Sequence, residues 1–459
     1  MRREFLNRLG ERWDVLVIGG GATGLGAALD AASRGYRTVL LEQSDFAKGT
    51  SSRSTKLIHG GVRYLRQGNL PLVRESLRER GILLRNAPHC VHPLAFVVPA
   101  RNARELLYYS AGLKIYDLLA GGLGIAPSRI LSRAEMPPLL SGRRGILYHD
   151  AQFDDARMAV TLMQNCARLG GVPLNYMRVT SFLKRGGRVR GAVAVDCETG
   201  REYTVEARAV INATGVFTDT VRRMDDQDCA RMITPSQGAH LVLAKSVLPG
   251  ETAIMIPRTD DGRVLFLIPW RSRVLLGTTD TPVSEALLEP RPMEAEMEYL
   301  LAQAARHIGV TIARGDILSV FAGQRPLVGA ARRTAEIPRD HIVETSASGL
   351  VTVTGGKWTT YRKMAEDAVD RAAEVGGLEK RLSLTAEMPL RAVSGEDMAR
   401  TVEDVLARRT GLLFLDARAA IEAAPGVARD LAQKLGRDAP WETEQVAAFR
   451  ELARGYLFG

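Results

Sequence analysis

A short apolar run at residues 14–18 ends in Gly19-x-Gly21-x-x-Gly24 and passes into alanine-rich sequence reaching about residue 33; no other feature restricts the fold as much. A second apolar run, residues 38–41, ends at Glu42. Strand, glycine turn, helix and strand make a β-α-β unit. Glycine at the three positions permits a tight turn, lets a pyrophosphate approach the backbone and lets the helix pack closely on the strand. Amide N–H groups at the helix start then face the diphosphate. Gly19, Gly21, Ala22, Thr23 and Gly24 are therefore candidate cofactor contacts, joined by Glu42 and Gln43. Glu42 stands eighteen residues beyond Gly24, where a carboxylate accepts both ribose hydroxyls and repels a 2′-phosphate. Glycine-rich turns are common in α/β proteins, so the pattern alone is weak. The preceding strand and the placed acid point it to a dinucleotide other than NADP.

Two later segments extend this reading. Gly49-Thr50-Ser51-Ser52-Arg53-Ser54-Thr55-Lys56-Leu57-Ile58-His59-Gly60-Gly61 is dense in hydroxyls and glycine. Hydroxyls bond phosphate and ribityl oxygens, and glycines let a planar ring approach the backbone. Taken alone it is an ordinary Ser/Thr loop. Following a dinucleotide unit directly, it reads as more of an extended cofactor site through Thr50, Ser51, Ser52, Ser54, Leu57, His59, Gly60 and Gly61. In Val353-Thr354-Gly355-Gly356-Lys357-Trp358-Thr359-Thr360 a strand ends in two glycines and a helix begins. Free N–H groups and a positive dipole end are presented there. At a flavin's N1/O2 edge they would stabilise the reduced ring; a generic anion site or a plain turn is the alternative. Gly355, Gly356, Lys357, Thr359 and Thr360 join the candidates.

The rest of the chain sets the frame. A length of 459 residues predicts two or three domains. The formal charge of +10 attracts anions, whether nucleic acid, lipid headgroups or a phosphorylated metabolite. No Lys/Arg run reaches five residues, so a dedicated nucleic-acid arm is not expected. Cys90, Cys166, Cys197 and Cys229 lie far apart without a C-x-x-C, which fits a reducing compartment and argues against a zinc ribbon or disulfide scaffold. The start, MRREFLNRLGERWD, is charged throughout and predicts no signal peptide, and no apolar run suffices to span a bilayer. Phe5, Leu6 and Leu9 beside Arg2, Arg3, Arg8 and Arg12 fit an interfacial helix and a solvated lead-in equally well.

Helices are predicted at 71–86, with Val73, Leu77 and Leu84 inward, at 154–169, opened by Asp154, and near 292–306. Asp154 and Asp155 read as helix capping; no metal is expected there. Strands are predicted at 189–195, 202–206 and 208–211, then in short runs over 230–282 and at 350–354, followed by a helix to about 374. Beyond 385 the pattern is helical, as in EDMARTVEDVLARR and WETEQVAAFRELA.

The segments IGGGATGLGAALDAASRG, GTSSRSTKLIHGGVRYL, FAGQRPLV and GGKWTTYRK resemble the signature segments of FAD-dependent glycerol-3-phosphate dehydrogenases, within the flavoprotein superfamily that includes D-amino acid oxidase. The likeness runs in order from about 14 to 370 and takes in NATG, QGAHLVL and LLGTTDTP. It implies an α/β fold: a Rossmann-like FAD-binding domain, an inserted β-rich substrate domain and a small C-terminal helical region. The FAD-binding domain is expected at 1–90, 146–228 and 318–384. A substrate or cap segment is expected at 91–145, the substrate domain at 229–317 and the helical region at 385–459. Val179, Ala213, Thr214 and Gly215 are further FAD contacts by the same likeness. The implied reaction oxidises sn-glycerol 3-phosphate to dihydroxyacetone phosphate by hydride transfer from C2 to flavin N5, with electrons passed to quinone. The implied location is cytoplasmic, peripheral on the inner face of the cytoplasmic membrane, and a homodimer is compatible with it.

Flavin-dependent alcohol oxidation needs a donor carbon near N5, a base for the hydroxyl proton and cations for the phosphate. A phosphate dianion buried without cations is prohibitively costly. The resemblance proposes Arg63, Arg325, Lys357 and Arg339 as cations, with Tyr64 and Thr279 as neutral donors. Among seven histidines, its place in QGAHLVL makes His240 the expected base, since an imidazole titrates near neutrality. His240, Lys357 and Arg325 thus form the expected catalytic group, while His59 goes to the cofactor. Gln237 departs from the pattern, standing where several relatives carry a basic residue, and the tail after 385 is shorter than in longer members. The alternatives are an oxidase using dioxygen, an amine or amino-acid oxidase, and a basic module acting on nucleic acid.

Overall fold

Helix α1 (Arg2–Arg8) leads into β1 (Trp13–Ile18), α2 (Ala22–Ser33) and β2 (Thr38–Leu41). Then β3 (Leu57–Ile58), α3 (Val62–Arg66), α4 (Leu70–Asn86), β4 (Val91–Ala100), α5 (Ala103–Ala120), β5 (Arg129–Leu131) and β6 (Arg144–Phe153) carry the chain into a second sheet. Helix α6 (Asp155–Arg168), β7 (Val172–Leu174), β8 (Met177–Arg185), β9 (Arg188–Asp196) and β10 (Glu202–Asn212) return it, followed by α7 (Thr218–Asp225). Strands β11 (Ile233–Ala244), β12 (Ala253–Ile256), β13 (Leu265–Trp270), β14 (Arg273–Gly277) and β15 (Thr281–Pro282), helix α8 (Glu294–Ile308) and β16 (Ile317–Val328) extend the second sheet. Strands β17 (His341–Thr345) and β18 (Leu350–Gly355) and helix α9 (Tyr361–Gly376) complete the first, and α10 (Leu412–Leu415), α11 (Ala417–Leu435) and α12 (Ala439–Arg454) end the chain. This computed structural model describes residues 1–66, 68–329, 340–392 and 397–459, without the side chains of Arg63 and Arg66.

The first sheet runs β17-β18-β10-β1-β2-β7, and β1 lies parallel to both β2 and β10. Its central strands are apolar on both faces, as a parallel sheet covered by helices requires. Val15, Leu16 and Val17 are buried, and Leu25, Leu162 and Val369 of α2, α6 and α9 share their core. Residues 202–206 and 208–211 form one strand, not two. Glu202–Glu206 pairs antiparallel with β9 and Ala207 onward pairs parallel with β1, so a change of partner mimics a break in the pattern. Phe5 and Leu9 of the N-terminal segment are buried in the same core, which directs that helix inward rather than to a lipid interface.

The second sheet runs β15-β11-β14-β13-β12-β4-β6-β3, with β16 pairing β11 and β5 pairing β6. Side chains alternate between its faces with period two. On β11, Ala239, Leu241 and Leu243 face a core shared with Leu300 and Ala304 of α8. Val242 faces the opposite core, shared with α5 and with Phe414 and Phe449 of the C-terminal helices. His240 has the parity of Val242 and therefore looks out on that side. On β16 the same face carries Phe321, and two and four residues on come Gly323 and Arg325. On β6 it carries Ile146 and Tyr148, then Asp150.

The stretch EDMARTVEDVLARR is not one helix: among the described residues only its second half, Val402 to Arg409, is helical, and Asp404–Arg409 is a short wide turn. Asp404 accepts from the amides of Arg400 and Thr401, and Arg408 and Arg409 reach across to Asp45 at 2.5 and 2.7 Å. These side-chain bonds outcompete the local helical pattern.

Candidate active site

A cavity of about 580 Å³ lies between this face of the second sheet, the loop around residues 50–64, helix α5 and the turn at Gly356–Thr359. Three glycine-bearing segments are tied together beside it. The Ala22 amide at the start of α2 donates to Ser51 Oγ at 2.9 Å. Trp358 Nε1 donates to the Ser51 carbonyl at 2.8 Å, and the His59 amide donates to Thr359 Oγ1 at 3.2 Å. Gly24 must lack a side chain, because a Cβ there would stand 1.9 Å from the Gly19 carbonyl oxygen. Gly355 and Gly356 turn the chain at φ of +82° and +65°, conformations that favour glycine.

Glu42, at the end of β2, accepts from the amides of Gly20 at 2.6 Å and Ser44 at 2.8 Å. Burial pushes its carboxyl up, and those two amides oppose the shift. Gly19 abuts Ala213 and Thr214, which place the NATG turn against the glycine turn. Gly21, Ala22 and Thr23 open α2 there, with Gly215 following Thr214. Gln43 is exposed next to Glu42, and Val179 is buried in β8.

The cavity wall brings together Thr50, Ser54, Leu57, His59, Gly61, Tyr64, His240, Thr279, Arg325, Gly356, Lys357 and Thr359. Ser51, Ser52, Gly60, Gly355 and Thr360 stand behind it: Ser52 is buried, the Gly60 amide is bonded to Tyr116, and Thr360 Oγ1 donates to the Lys357 carbonyl. Arg339 and the side chain of Arg63 lie outside the described residues. Lys357 Nζ sits 4.8 Å from the centre of the Tyr64 ring, a cation–π distance. Arg325 Nη2 donates to Thr278 Oγ1 at 3.1 Å and to the Thr279 carbonyl at 3.2 Å, with Asp280 3.6 Å from its Nη1. The Thr279 hydroxyl donates to Glu296 at 2.7 Å and accepts from the Ala239 amide at 2.8 Å, so its proton is already placed. Gln237 turns away, donating to Glu296 at 2.9 Å and to the Arg291 carbonyl at 3.0 Å.

His240 is buried, stacks on Phe321 with ring centres 4.8 Å apart, and holds Nε2 3.0 Å from Thr55 Oγ1. A Cβ on Gly277 would come within 2.2 Å of its Cδ2, so that glycine leaves the ring its space. Burial first, then the charges of Arg325 and Lys56, hold the imidazole well below its ordinary value, and the ring is neutral near pH 7.

Sequence reasoning missed the groups behind this wall. Lys56 Nζ meets Asp155 at 2.7 and 2.8 Å, both buried, beneath the rings of Trp270, Phe321 and Phe414. Asp154 does cap α6, but its neighbour Asp155 spends its charge on this pair. Arg80 donates to Asp150 at 2.7 Å, Tyr116 donates to Asp150 at 2.8 Å, and Tyr116 accepts from the Gly60 amide at 2.8 Å. Thr55 sat in the quoted loop, yet no local signal joins it to a histidine 185 residues away.

A largely parallel sheet with a glycine-lined dinucleotide turn, joined across a cavity to a largely antiparallel sheet, defines the flavin-dependent oxidoreductases as a class. Residues 14–362 match the FAD dependent oxidoreductase family, and the chain belongs to that family. Residues 322–443 match the C-terminal domain of alpha-glycerophosphate oxidase. The chain is 43% identical to the mitochondrial glycerol-3-phosphate dehydrogenase of Homo sapiens, over 87% of this chain and 58% of that one. It is also 43% identical to a probable mitochondrial glycerol-3-phosphate dehydrogenase of Caenorhabditis elegans, over 82% and 55%. The chain therefore spans somewhat more than half the length of these relatives. Among solved structures, glycerol-3-phosphate dehydrogenase from Bacillus halodurans complexed with FAD superposes with a TM-score of 0.82 at 28% identity, covering 100% of this chain and 98% of that one. Glycine oxidase from Geobacillus kaustophilus superposes with a TM-score of 0.58 at 19% identity, covering 83% and 100%, a likeness of fold. FAD is thus the cofactor, and the residues fit it: the cradle that a Cβ at Gly24 would fill and the hydroxyl-rich loop beside it suit a diphosphate and ribityl chain.

Proposed function

We propose that this flavoenzyme oxidises sn-glycerol 3-phosphate at C2 to dihydroxyacetone phosphate. The supporting observation is the convergence of His240, Arg325 and Lys357 on one cavity bounded by the three glycine-bearing segments. FAD, held by the Gly19–Gly24 turn, Glu42, the 49–61 loop and the 355–360 turn, supplies the hydride acceptor at N5. Arg325 and Lys357 provide the cations that offset the phosphate dianion, with Arg63 and Arg339 as further cations. His240, neutral and buried, takes the proton of the C2 hydroxyl on Nδ1, the ring nitrogen with no partner among the described residues, while Nε2–H donates to Thr55 and holds the ring in orientation. The fixed Gly60 amide and the Lys56–Asp155 pair keep the surrounding wall rigid. Tyr64 completes the phosphate end beside Lys357. The relatives' names support the substrate, and the first sheet supports the FAD-binding part, although β3 and β16, counted with that part in the sequence, pair with β6 and β11 of the second sheet.

Quinone is the proposed electron acceptor, reached at a membrane surface. No helix among the described residues is long and apolar enough to cross a membrane. Helix α5 nevertheless exposes Leu107 and Leu118, which are 72% and 80% exposed, on the same side as Ile115. Ile115 and Tyr108 also line the cavity, whose wall includes Val98, Met255 and Phe266. Glycerol 3-phosphate has no use for such an apolar limb; a quinone ring does. This reading places the enzyme on the inner face of the cytoplasmic membrane. Anaerobic addition of glycerol 3-phosphate to the purified yellow protein should bleach its flavin bands, with a quinone analogue restoring them. Bands that persist, or that bleach with glycine or proline instead, refute the assignment; peroxide formation at the rate of quinone reduction would favour an oxidase.

A further inference from the structure

The arginines that look scattered in the sequence are gathered by the fold on the flank of the second sheet. A groove of about 1150 Å³ is lined by Arg101, Arg133, Arg143, Arg144, Arg258 and Arg306, against two carboxylates, Glu105 and Asp260. Both carboxylates are committed: Asp260 to Arg306 at 2.5 Å and Gln303 at 2.8 Å, and Glu105 to the Arg101 amide at 2.9 Å. The side chains of Arg133, Arg144 and Arg258 make no ion pair or hydrogen bond with the described residues, so three guanidinium groups face one space against the single carboxylate of Glu105, which is held by a backbone amide and not by a cation. Like charges held together repel, and the arrangement is offset only by an anion.

A second observation comes from His307. Its side chain is 8% exposed, and Arg101 donates to its Nδ1 at 3.0 Å, which places the ring proton on Nε2. That Nε2 is buried without a hydrogen-bond partner, Asp260 Oδ1 lying 3.9 Å off, and the residue lines the groove. The first turn of α5, an 18-residue helix, opens there too through Asn102 and Ala103, adding the positive end of its dipole. Guanidinium forks, an imidazole N–H and helix amides are the donors that phosphate oxygens accept, several at a time.

We propose that this groove is a binding site for a phosphate-bearing anion, separate from the reaction cavity. It shares only Tyr109 and Pro257 with that cavity, so occupancy bears on the cavity wall through α5. The phosphate can belong to a soluble phosphoester or to an anionic lipid headgroup, and the proposal does not depend on the identity of the oxidised substrate.

The test uses the full-length, FAD-loaded protein and the triple variant Arg133→Ser, Arg144→Ser, Arg258→Ser, whose side chains are exposed and outside the catalytic machinery. Pyrophosphate binding by calorimetry and sedimentation with phosphatidylglycerol–phosphatidylcholine vesicles, both at low salt, are the two arms. The triple variant should lose about tenfold or more in one of them, while FAD content and melting temperature stay unchanged. Loss in the pyrophosphate arm alone assigns a soluble phosphoester; loss in the vesicle arm assigns a headgroup. Arg144→Glu, a single reversal, should reproduce the loss and covers the case of a misfolded triple variant. Binding unchanged in both arms, or pyrophosphate binding abolished by Arg325→Gln but not by the triple variant, overturns the proposal.

Discussion

Replacing Thr55 by valine removes one hydroxyl and little else. Valine fills nearly the same volume, the His240 ring stays stacked on Phe321 at 4.8 Å, and Gly277 still leaves it room. What disappears is the 3.0 Å contact at Nε2. In the resting enzyme that contact joins two neutral groups and contributes about 0.5–1.5 kcal/mol; once His240 has taken the substrate proton the donor is charged, and the same contact contributes about 1.5–3 kcal/mol. Only the difference, about 1–1.5 kcal/mol, raises the barrier. At 1.36 kcal/mol per factor of ten, flavin reduction should slow roughly five- to thirteen-fold. The assay is anaerobic stopped-flow reduction at saturating glycerol 3-phosphate, with FAD content measured on the same samples. Thr55→Ser should recover most of the rate, because it restores the hydroxyl. Reduction by Thr55→Val within about twofold of wild type, with FAD retained, refutes the role given to the hydroxyl.

Other outcomes follow from the same geometry. Because burial and the charges of Arg325 and Lys56 hold the His240 value well below 6.5, the imidazole proposed as the base stays neutral in mildly acid solution. Flavin reduction should therefore hold steady as pH drops below 6.5 and decline only through the depressed value; a decline centred at or above 6.5 contradicts this. The linked stability has the same sign, present above the unfolded histidine value and lost as pH falls through the folded one. Gly24→Ala forces a methyl group against the Gly19 carbonyl and should yield protein lacking FAD, visible as absent absorbance in the flavin bands. Lys56→Met leaves Asp155 buried without its partner and should destabilise the fold by about 3–5 kcal/mol in urea titration, whereas a change under about 1 kcal/mol would show that the pair is dispensable. Leu107→Ser with Leu118→Ser should move the enzyme from the membrane pellet to the supernatant; unchanged partition removes α5 from the attachment.

The glycine turn, the strand before it and Glu42 were legible because their geometry is local: one short stretch dictates turn, dipole and acid. His240, the proposed base, was singled out through the likeness of its strand, and its orientation follows from the period-two alternation that also turns Leu241 inward. Thr55, Asp150 and the Lys56–Asp155 pair were not, because a hydroxyl or a carboxylate gives no sign of a partner a hundred residues away. Asp155 looked like a helix cap for that reason, and its neighbour Asp154 does cap. The C-terminal stretch 397–409 failed differently: its helical pattern is kept only from Val402 to Arg409, because Asp404 takes the amides of Arg400 and Thr401 just before it, while Arg408 and Arg409 anchor the turn to Asp45. Gathered arginines are invisible in a count of charged runs, since three loops, the start of β6 and the end of α8 supply them.

The interleaving of the first sheet has a consequence for synthesis. Val15 needs Ala209 as its neighbour and Val210 needs Leu350, while the turn that hooks His59 is delivered only at Thr359. The glycine signature leaves the ribosome early and waits, apolar strand exposed on one edge, until most of the polypeptide has followed. A nascent chain stalled before the mid-350s would carry the cofactor motif intact and have nothing with which to close it around FAD, which makes cofactor capture a late event in the life of the polypeptide.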